Sequence, residues 1–180
     1  MLEIVIPKTE FYDEKTEMFV DIDEQTLQLE HSLVSVSKWE AKWHKAFLKK
    51  QEKTNEEFKD YIRCMTLNNV DPLVYSVLTV KNYNDINEYI NAKMTASYIS
   101  EKTEDGAKAS DTVTSDLIYY WMVALQIPFE CQYWHLDKLL TLVKICNIKN
   151  KQPSKKKGKP NLAHRSALNA QRRAHAHSKG

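Results

Sequence analysis

The spacing of apolar residues changes at Ser32, and this change limits the folds that the chain can adopt. Before Ser32, apolar residues alternate with polar ones in three short runs, over 2–6, 18–23 and 27–30. A period of two is typical of strands, which predicts a small antiparallel β-meander. After Ser32, apolar residues recur every three or four positions, which predicts helices. We therefore expect a mainly α fold, with a compact helical body and a small N-terminal antiparallel β-meander.

Four predicted helices form the core of this body. They lie near residues 32–49, 55–67, 113–126 and 131–148. Thr54 and Glu57 have the spacing of a capping box at the start of the second helix, and Asp71 before Pro72 starts a shorter one. The helix near 113–126 is apolar nearly all round, so we expect other elements to enclose it on most sides.

An aromatic stripe marks the first predicted helix, in which Val36, Trp39, Trp43 and Phe47 recur at steps of three and four residues. Stripes of this kind usually pack into the core of a protein. Trp39 and Trp43 are therefore interpreted either as core residues or as contacts for a binding partner.

Charge is divided unequally along the chain. Residues 149–180 contain seven Lys, three Arg and no acidic residue, which leaves 16 basic and 24 acidic side chains in residues 1–148. We predict a body over 1–148, followed over 149–180 by a basic linker and a tail that becomes helical against a partner. A solubilising end is the alternative. The cationic residues predicted to meet an anionic partner are Lys155, Lys156, Lys157, Lys159, Arg165, Arg172 and Arg173.

No motif in the sequence indicates catalysis. The first glycine is Gly106, which excludes the phosphate-binding loops that need glycine earlier in the chain. Cys131 and His135 are four residues apart and would share one helix face, but further ligands for zinc are not evident. The surroundings of Cys131 also lack the features of an activated nucleophile. We therefore predict a protein that is not an enzyme and uses neither a metal nor a cofactor.

The cysteines and the apolar runs bear on where the protein is found. Cys64, Cys131 and Cys146 are odd in number and show no paired spacing, which is typical of buried thiols in a reducing compartment. The longest apolar run, over 117–125, is too short to span a bilayer. The N-terminus lacks the features of a signal peptide. We expect the protein to stay in the cytoplasm, away from the membrane.

Four segments of the chain are distinctive: SLVSVSKWEAKWHKAFL (32–48), DYIRCMTLNNVDP (60–72), LIYYWMVALQIPFECQYWHLDKLLTLVKICNI (117–148) and SALNAQRR (166–173). Together they resemble a family of small proteins encoded by tailed bacteriophages. The resemblance implies a tail assembly chaperone or a minor virion component. Its partners would be other phage tail or virion proteins, and it would be found in the host cytoplasm during assembly or in the virion.

A second hypothesis gives the basic tail a different partner. The Lys and Arg residues of 149–180 could neutralise phosphates and release counterions, as in a nucleic-acid-binding protein. No aromatic residue lies among them, so such binding would be non-specific. The sequence leaves open whether the chain also forms a homo-oligomer.

Overall fold

The computed structural model describes residues 1–13, 17–97, 112–150 and 162–175. Four β-strands come first: β1 (Leu2–Ile6), β2 (Thr9–Asp13), β3 (Met18–Ile22) and β4 (Gln25–Leu29). The α-helices follow as α1 (Leu33–Trp43), α2 (Asn55–Met65), α3 (Val80–Asn91), α4 (Ser115–Ala124), α5 (Leu136–Asn150) and α6 (Leu162–His175). Short 3-10 helices cover Pro72–Ser76 and Phe129–Tyr133. The predicted mainly α fold with an N-terminal antiparallel β-structure is confirmed.

The chain divides into two units, Met1–Cys146 and Asn147–Gly180. The first unit contains all four strands and the helices that build the core. The second unit contains α6. Within the described residues, no helix combines the length and the apolar character needed to cross a membrane.

The strands form two antiparallel sheets, in which β1 pairs with β4 and β2 pairs with β3. Both pairs keep one register, from Leu2 opposite Leu29 to Asp13 opposite Met18. The second pair therefore continues the first beyond an interruption at Pro7, which has no N–H for the ladder. We call β2 and β3 together the hairpin arm. The sequence did not predict β2, because its residues do not alternate between apolar and polar.

The core of the first unit lies between the β1–β4 sheet and the helices. α1 contacts α2, α4 and the 3-10 helix over Phe129–Tyr133, and α3 contacts β1. Each aliphatic side chain that is fully buried contributes about 1.5–3 kcal/mol, which offsets the loss of chain entropy. Core residues with no exposed surface include Leu27, Leu29, Leu33, Val36, Tyr61, Ile62, Met65, Ile86, Ile118, Met122 and Leu139.

Side chains define the helix boundaries. The predicted capping box is present, since the Thr54 side chain accepts from the N–H of Glu57 and the Glu57 carboxylate accepts from the N–H of Thr54. The end of α1 differs from the prediction, because α1 stops at Trp43 and not near residue 49. The cause is local: His44 has φ of 52°, and the carboxylate of Glu40 accepts the N–H of Phe47 at 2.8 Å. These contacts turn the chain away from the helix axis.

Candidate functional site

The two tryptophans of α1 are held by hydrogen bonds to α2. Trp39 is 2% exposed, and its Nε1 donates to the backbone oxygen of Glu57 at 2.8 Å. Trp43 is half-buried, and its Nε1 donates to Oδ2 of Asp60 at 2.9 Å. The two rings are stacked with their centroids 6.3 Å apart. Trp39 is thus a core residue, and only Trp43 keeps part of its ring at the surface.

Ion pairs surround these rings. Lys42 pairs with Asp60, and Lys45 pairs with Glu57. Both carboxylates are buried, whereas both ammonium groups are half or more exposed. The hydrogen bond from Lys45 lowers the pKa of the Glu57 carboxyl, which therefore stays charged at neutral pH. The polar groups around Trp43 thus hold α1 against α2.

A cleft of about 310 Å³ lies between the end of α1 and the start of α4. Glu40 lines it and accepts hydrogen bonds from the backbone N–H of Ser115 at 2.8 Å and from its hydroxyl at 2.6 Å. The same carboxylate accepts the N–H of Phe47. The carboxylate of Glu40 therefore fixes α4 and the chain after α1, and both of its oxygens already accept hydrogen bonds.

Two buried histidines lie side by side in the core. The rings of His31 and His135 are 5.1 Å apart, and the residues are 4% and 7% exposed. Nδ1 of His31 shares a hydrogen bond with the hydroxyl of Tyr61, and Nε2 of His135 donates to the carbonyl of Tyr89 at 3.0 Å. Burial, with a smaller effect of His135, lowers the pKa of His31 to about 3. His31 is therefore uncharged at neutral pH.

Cys131 and His135 do not share a helix, so that expectation is wrong. Cys131 lies in the 3-10 helix over Phe129–Tyr133, and His135 precedes α5. The separation arises because Trp134 leaves the helical conformation, with φ of −71° and ψ of 159°. Burial raises the pKa of the Cys131 thiol, which disfavours the thiolate. Among the described side chains, no three from His, Cys, Asp and Glu are placed to hold a metal ion.

A group of large apolar side chains is exposed on α4 and on the segment after it. We call it the apolar surface: Tyr120 (65% exposed), Val123 (62%), Phe129 (53%), Tyr133 (62%) and Trp134 (38%). The expectation that other elements enclose α4 is therefore wrong. The helix buries one face through Ile118 and Met122 and leaves the opposite face open.

The two parts of the apolar surface are tied together. The hydroxyl of Tyr119 donates to Oε1 of Gln132 at 3.0 Å, which joins α4 to the 3-10 helix. The chain reverses between them at Gln126, which has φ of 55°, and the N–H of Ile127 donates to the carbonyl of Met122 at 2.8 Å. The exposed rings on both segments are consequently positioned by buried and hydrogen-bonded neighbours.

The predicted cationic residues fall in the second unit. Arg165, Arg172 and Arg173 lie on α6, and the side chain of Arg172 is exposed. Lys155, Lys156, Lys157 and Lys159 lie outside the described residues. Their predicted contact with an anionic partner stays a prediction.

Comparison with known proteins gives no match. No family model matches the chain, and neither the curated proteins nor the solved structures contain a match.

Proposed function

We propose that the protein is a non-enzymatic bacteriophage tail morphogenesis protein that binds other phage proteins, as a tail assembly chaperone or a minor structural component. The apolar surface carries this proposal, together with the sequence resemblance. Its partner would be an apolar helical segment of another tail protein, such as the tape-measure chain.

The composition of the apolar surface supports a protein partner. Exposed apolar groups occur singly on most proteins, whereas clustered ones favour a binding role. Three of the five side chains are Tyr or Trp, which are enriched among the residues that dominate binding energy. Burying one such side chain contributes about 1.5–3 kcal/mol.

The low charge of this segment indicates the chemistry of that partner. Between residues 117 and 136 the only acidic or basic side chain from Asp, Glu, Lys and Arg is Glu130, and the ammonium group of Lys138 lies 4.4 Å from the centroid of the Trp134 ring. A surface of such low charge attracts nucleic acid only weakly. An amphipathic helix that presents apolar side chains at three- and four-residue spacing matches it, as in other helix-binding proteins.

Copurification tests the proposal. The full chain is co-expressed with the tape-measure protein of the same phage, and the bound amount is measured for the Tyr120→Ser, Val123→Ser double variant. We expect at least about a tenfold loss of affinity, since two exposed apolar side chains of this surface are removed. Thermal unfolding should be unchanged, because both side chains are exposed.

A matched control is available in α3. Val80 is 77% exposed and lies outside the apolar surface, so Val80→Ser makes the same chemical change as Val123→Ser. It should leave copurification intact. Two results contradict the proposal. One is equal binding by the Val80→Ser variant and the Tyr120→Ser, Val123→Ser double variant, and the other is that the unchanged chain binds no tail protein.

Nucleic-acid binding through the basic tail is the second candidate function. The ten cationic and no acidic residues of 149–180, with Arg172 exposed on α6, favour it. Retention of the full chain on duplex DNA should then weaken steeply with salt, and Arg165→Glu with Arg172→Glu should reduce the slope of affinity against salt. A chain that is not retained even at low salt excludes this function.

A further inference from the structure

The hairpin arm exposes side chains on both of its faces. Tyr12 is 45% exposed, Phe19 is 66% exposed and Met18 is 62% exposed, whereas Ile22 is buried. β2 and β3 form a two-stranded sheet, so each has one edge without a neighbouring strand in the described structure. A hairpin of two strands is marginally stable by itself, and open edges with exposed rings favour a binding partner.

One face of the hairpin arm combines two acids with two rings. Glu10 lies directly opposite Asp21, and Tyr12 lies directly opposite Phe19. Residues two apart along a strand share a face, so all four belong to the same one. The two ring centroids are 5.1 Å apart. Like charges placed opposite each other destabilise a strand pair, and a cation bound between them would remove that cost.

The chemistry of this face selects arginine. A guanidinium group donates several hydrogen bonds to carboxylates and stacks on aromatic rings, and this face offers both next to each other. The surroundings are also acidic, since residues 9–24 contain seven acidic side chains and one basic one. A partner segment that carries several Arg and no acid would complement it.

We propose that the hairpin arm binds α6 of a second copy of this chain. α6 carries Arg165, Arg172 and Arg173 within 14 residues and contains no acidic residue. Charge complementarity within one sequence therefore supplies both halves of the contact. Because the two surfaces differ, the contact forms either reciprocally in a symmetric dimer or head-to-tail, and a head-to-tail contact produces rings or filaments.

The first experiment measures the mass of the full chain by sedimentation velocity. We expect the mass to increase over about two decades of micromolar protein concentration. The association should be lost between about 0.1 M and about 1 M salt, since the screening length falls from about 10 Å to about 3 Å. A single species of monomer mass at every concentration overturns the proposal.

The second experiment reverses the charges. An arm variant carries Glu10→Arg and Asp21→Arg, and an α6 variant carries Arg165→Glu and Arg172→Glu. Each variant alone should stay monomeric, because like charges now face each other. An equimolar mixture should associate again, because the arm face that now carries two arginines meets the α6 that now carries two glutamates.

Two acids outside the hairpin arm provide the matched control. Glu52 and Glu88 are exposed, and their change to Arg should leave association unchanged. Circular dichroism checks that each variant folds. If the arm variant does not fold, the α6 variant alone tests whether the arm binds α6. Three outcomes overturn the proposal: association that survives both reversals, a mixture that stays monomeric, and association that disappears after nuclease treatment.

Discussion

Lowering the pH from about 7 to about 5 should destabilise this protein through His31. The imidazole is 4% exposed, and its Nδ1 shares a hydrogen bond with the hydroxyl of Tyr61. A charge on this ring would be buried beside the ring of His135 and near the ammonium group of Lys53. These surroundings disfavour the protonated ring, so the folded state resists protonation.

The size of the effect follows from the two pKa values of His31. The ordinary pKa is 6.5, and the folded pKa is about 3. A folded pKa below the unfolded one means that the unfolded chain binds the proton first. Stability is therefore complete above about pH 6.5 and is lost as the pH falls towards about 3. At about 1.4 kcal/mol per pH unit, the loss is about 2 kcal/mol at pH 5 and about 5 kcal/mol below pH 3.

Denaturation with urea at a series of pH values, followed by tryptophan fluorescence, measures this loss. The informative variant is His31→Asn, because its amide oxygen can accept from the Tyr61 hydroxyl but its side chain does not titrate. We expect the variant to be less stable than the parent at neutral pH. Between pH 7 and 5 it should lose about 2 kcal/mol less than the parent protein.

The control is His44→Asn. His44 is exposed and has a positive φ, a conformation that asparagine tolerates well. This variant should keep the pH dependence of the parent protein. Equal pH slopes for the parent and the His31→Asn variant refute the reasoning, as does a nuclear magnetic resonance titration of the His31 ring with a midpoint near 6.5.

Three further predictions concern stability and reactivity. Glu40→Ala leaves the N–H groups of Phe47 and Ser115 without their acceptor, and the free energy of unfolding should fall by about 1–3 kcal/mol for each. Urea denaturation measures this loss, and an unchanged midpoint contradicts the role of Glu40. Thr54→Ala removes the cap of α2 and should cost about 0.5–2 kcal/mol, whereas Thr54→Ser should retain most of it. The buried Cys131 thiol, whose pKa is raised, should react with iodoacetamide much more slowly in the native protein than in urea; equal rates by peptide mass spectrometry would show that it is accessible.

The sequence predicts the helix starts that depend on neighbouring residues, whereas the start of α3 was not predicted and α5 begins at Leu136 and not near 131. Thr54 with Glu57 and Asp71 with Pro72 cap helices where the sequence indicates. The end of α1 was missed because a side chain within the helix, Glu40, bonds to the chain beyond it. Spacing of apolar residues contains no information about such a bond.

The spacing of apolar residues could not predict the apolar surface or the different exposure of Trp39 and Trp43. An apolar helix shows the same pattern whether its second face meets another element or solvent, so the exposure of Tyr120 depends on where α4 packs. In the same way, Trp39 is buried and Trp43 is half-buried, and Phe47 packs edge-on against the Trp39 ring with the centroids 5.3 Å apart. The pairing of β2 with β3 continues the register in which β1 pairs with β4. The residues of β2 by themselves do not indicate this pairing.

The two sheets share one register on either side of Pro7, and this has a mechanical consequence. The backbones of the hairpin arm run through the break at Pro7 directly into β1 and β4, where Leu27 and Leu29 have no exposed surface. Tension applied to the arm is consequently transmitted along both of its strands into a sheet that is held in the core by buried leucines.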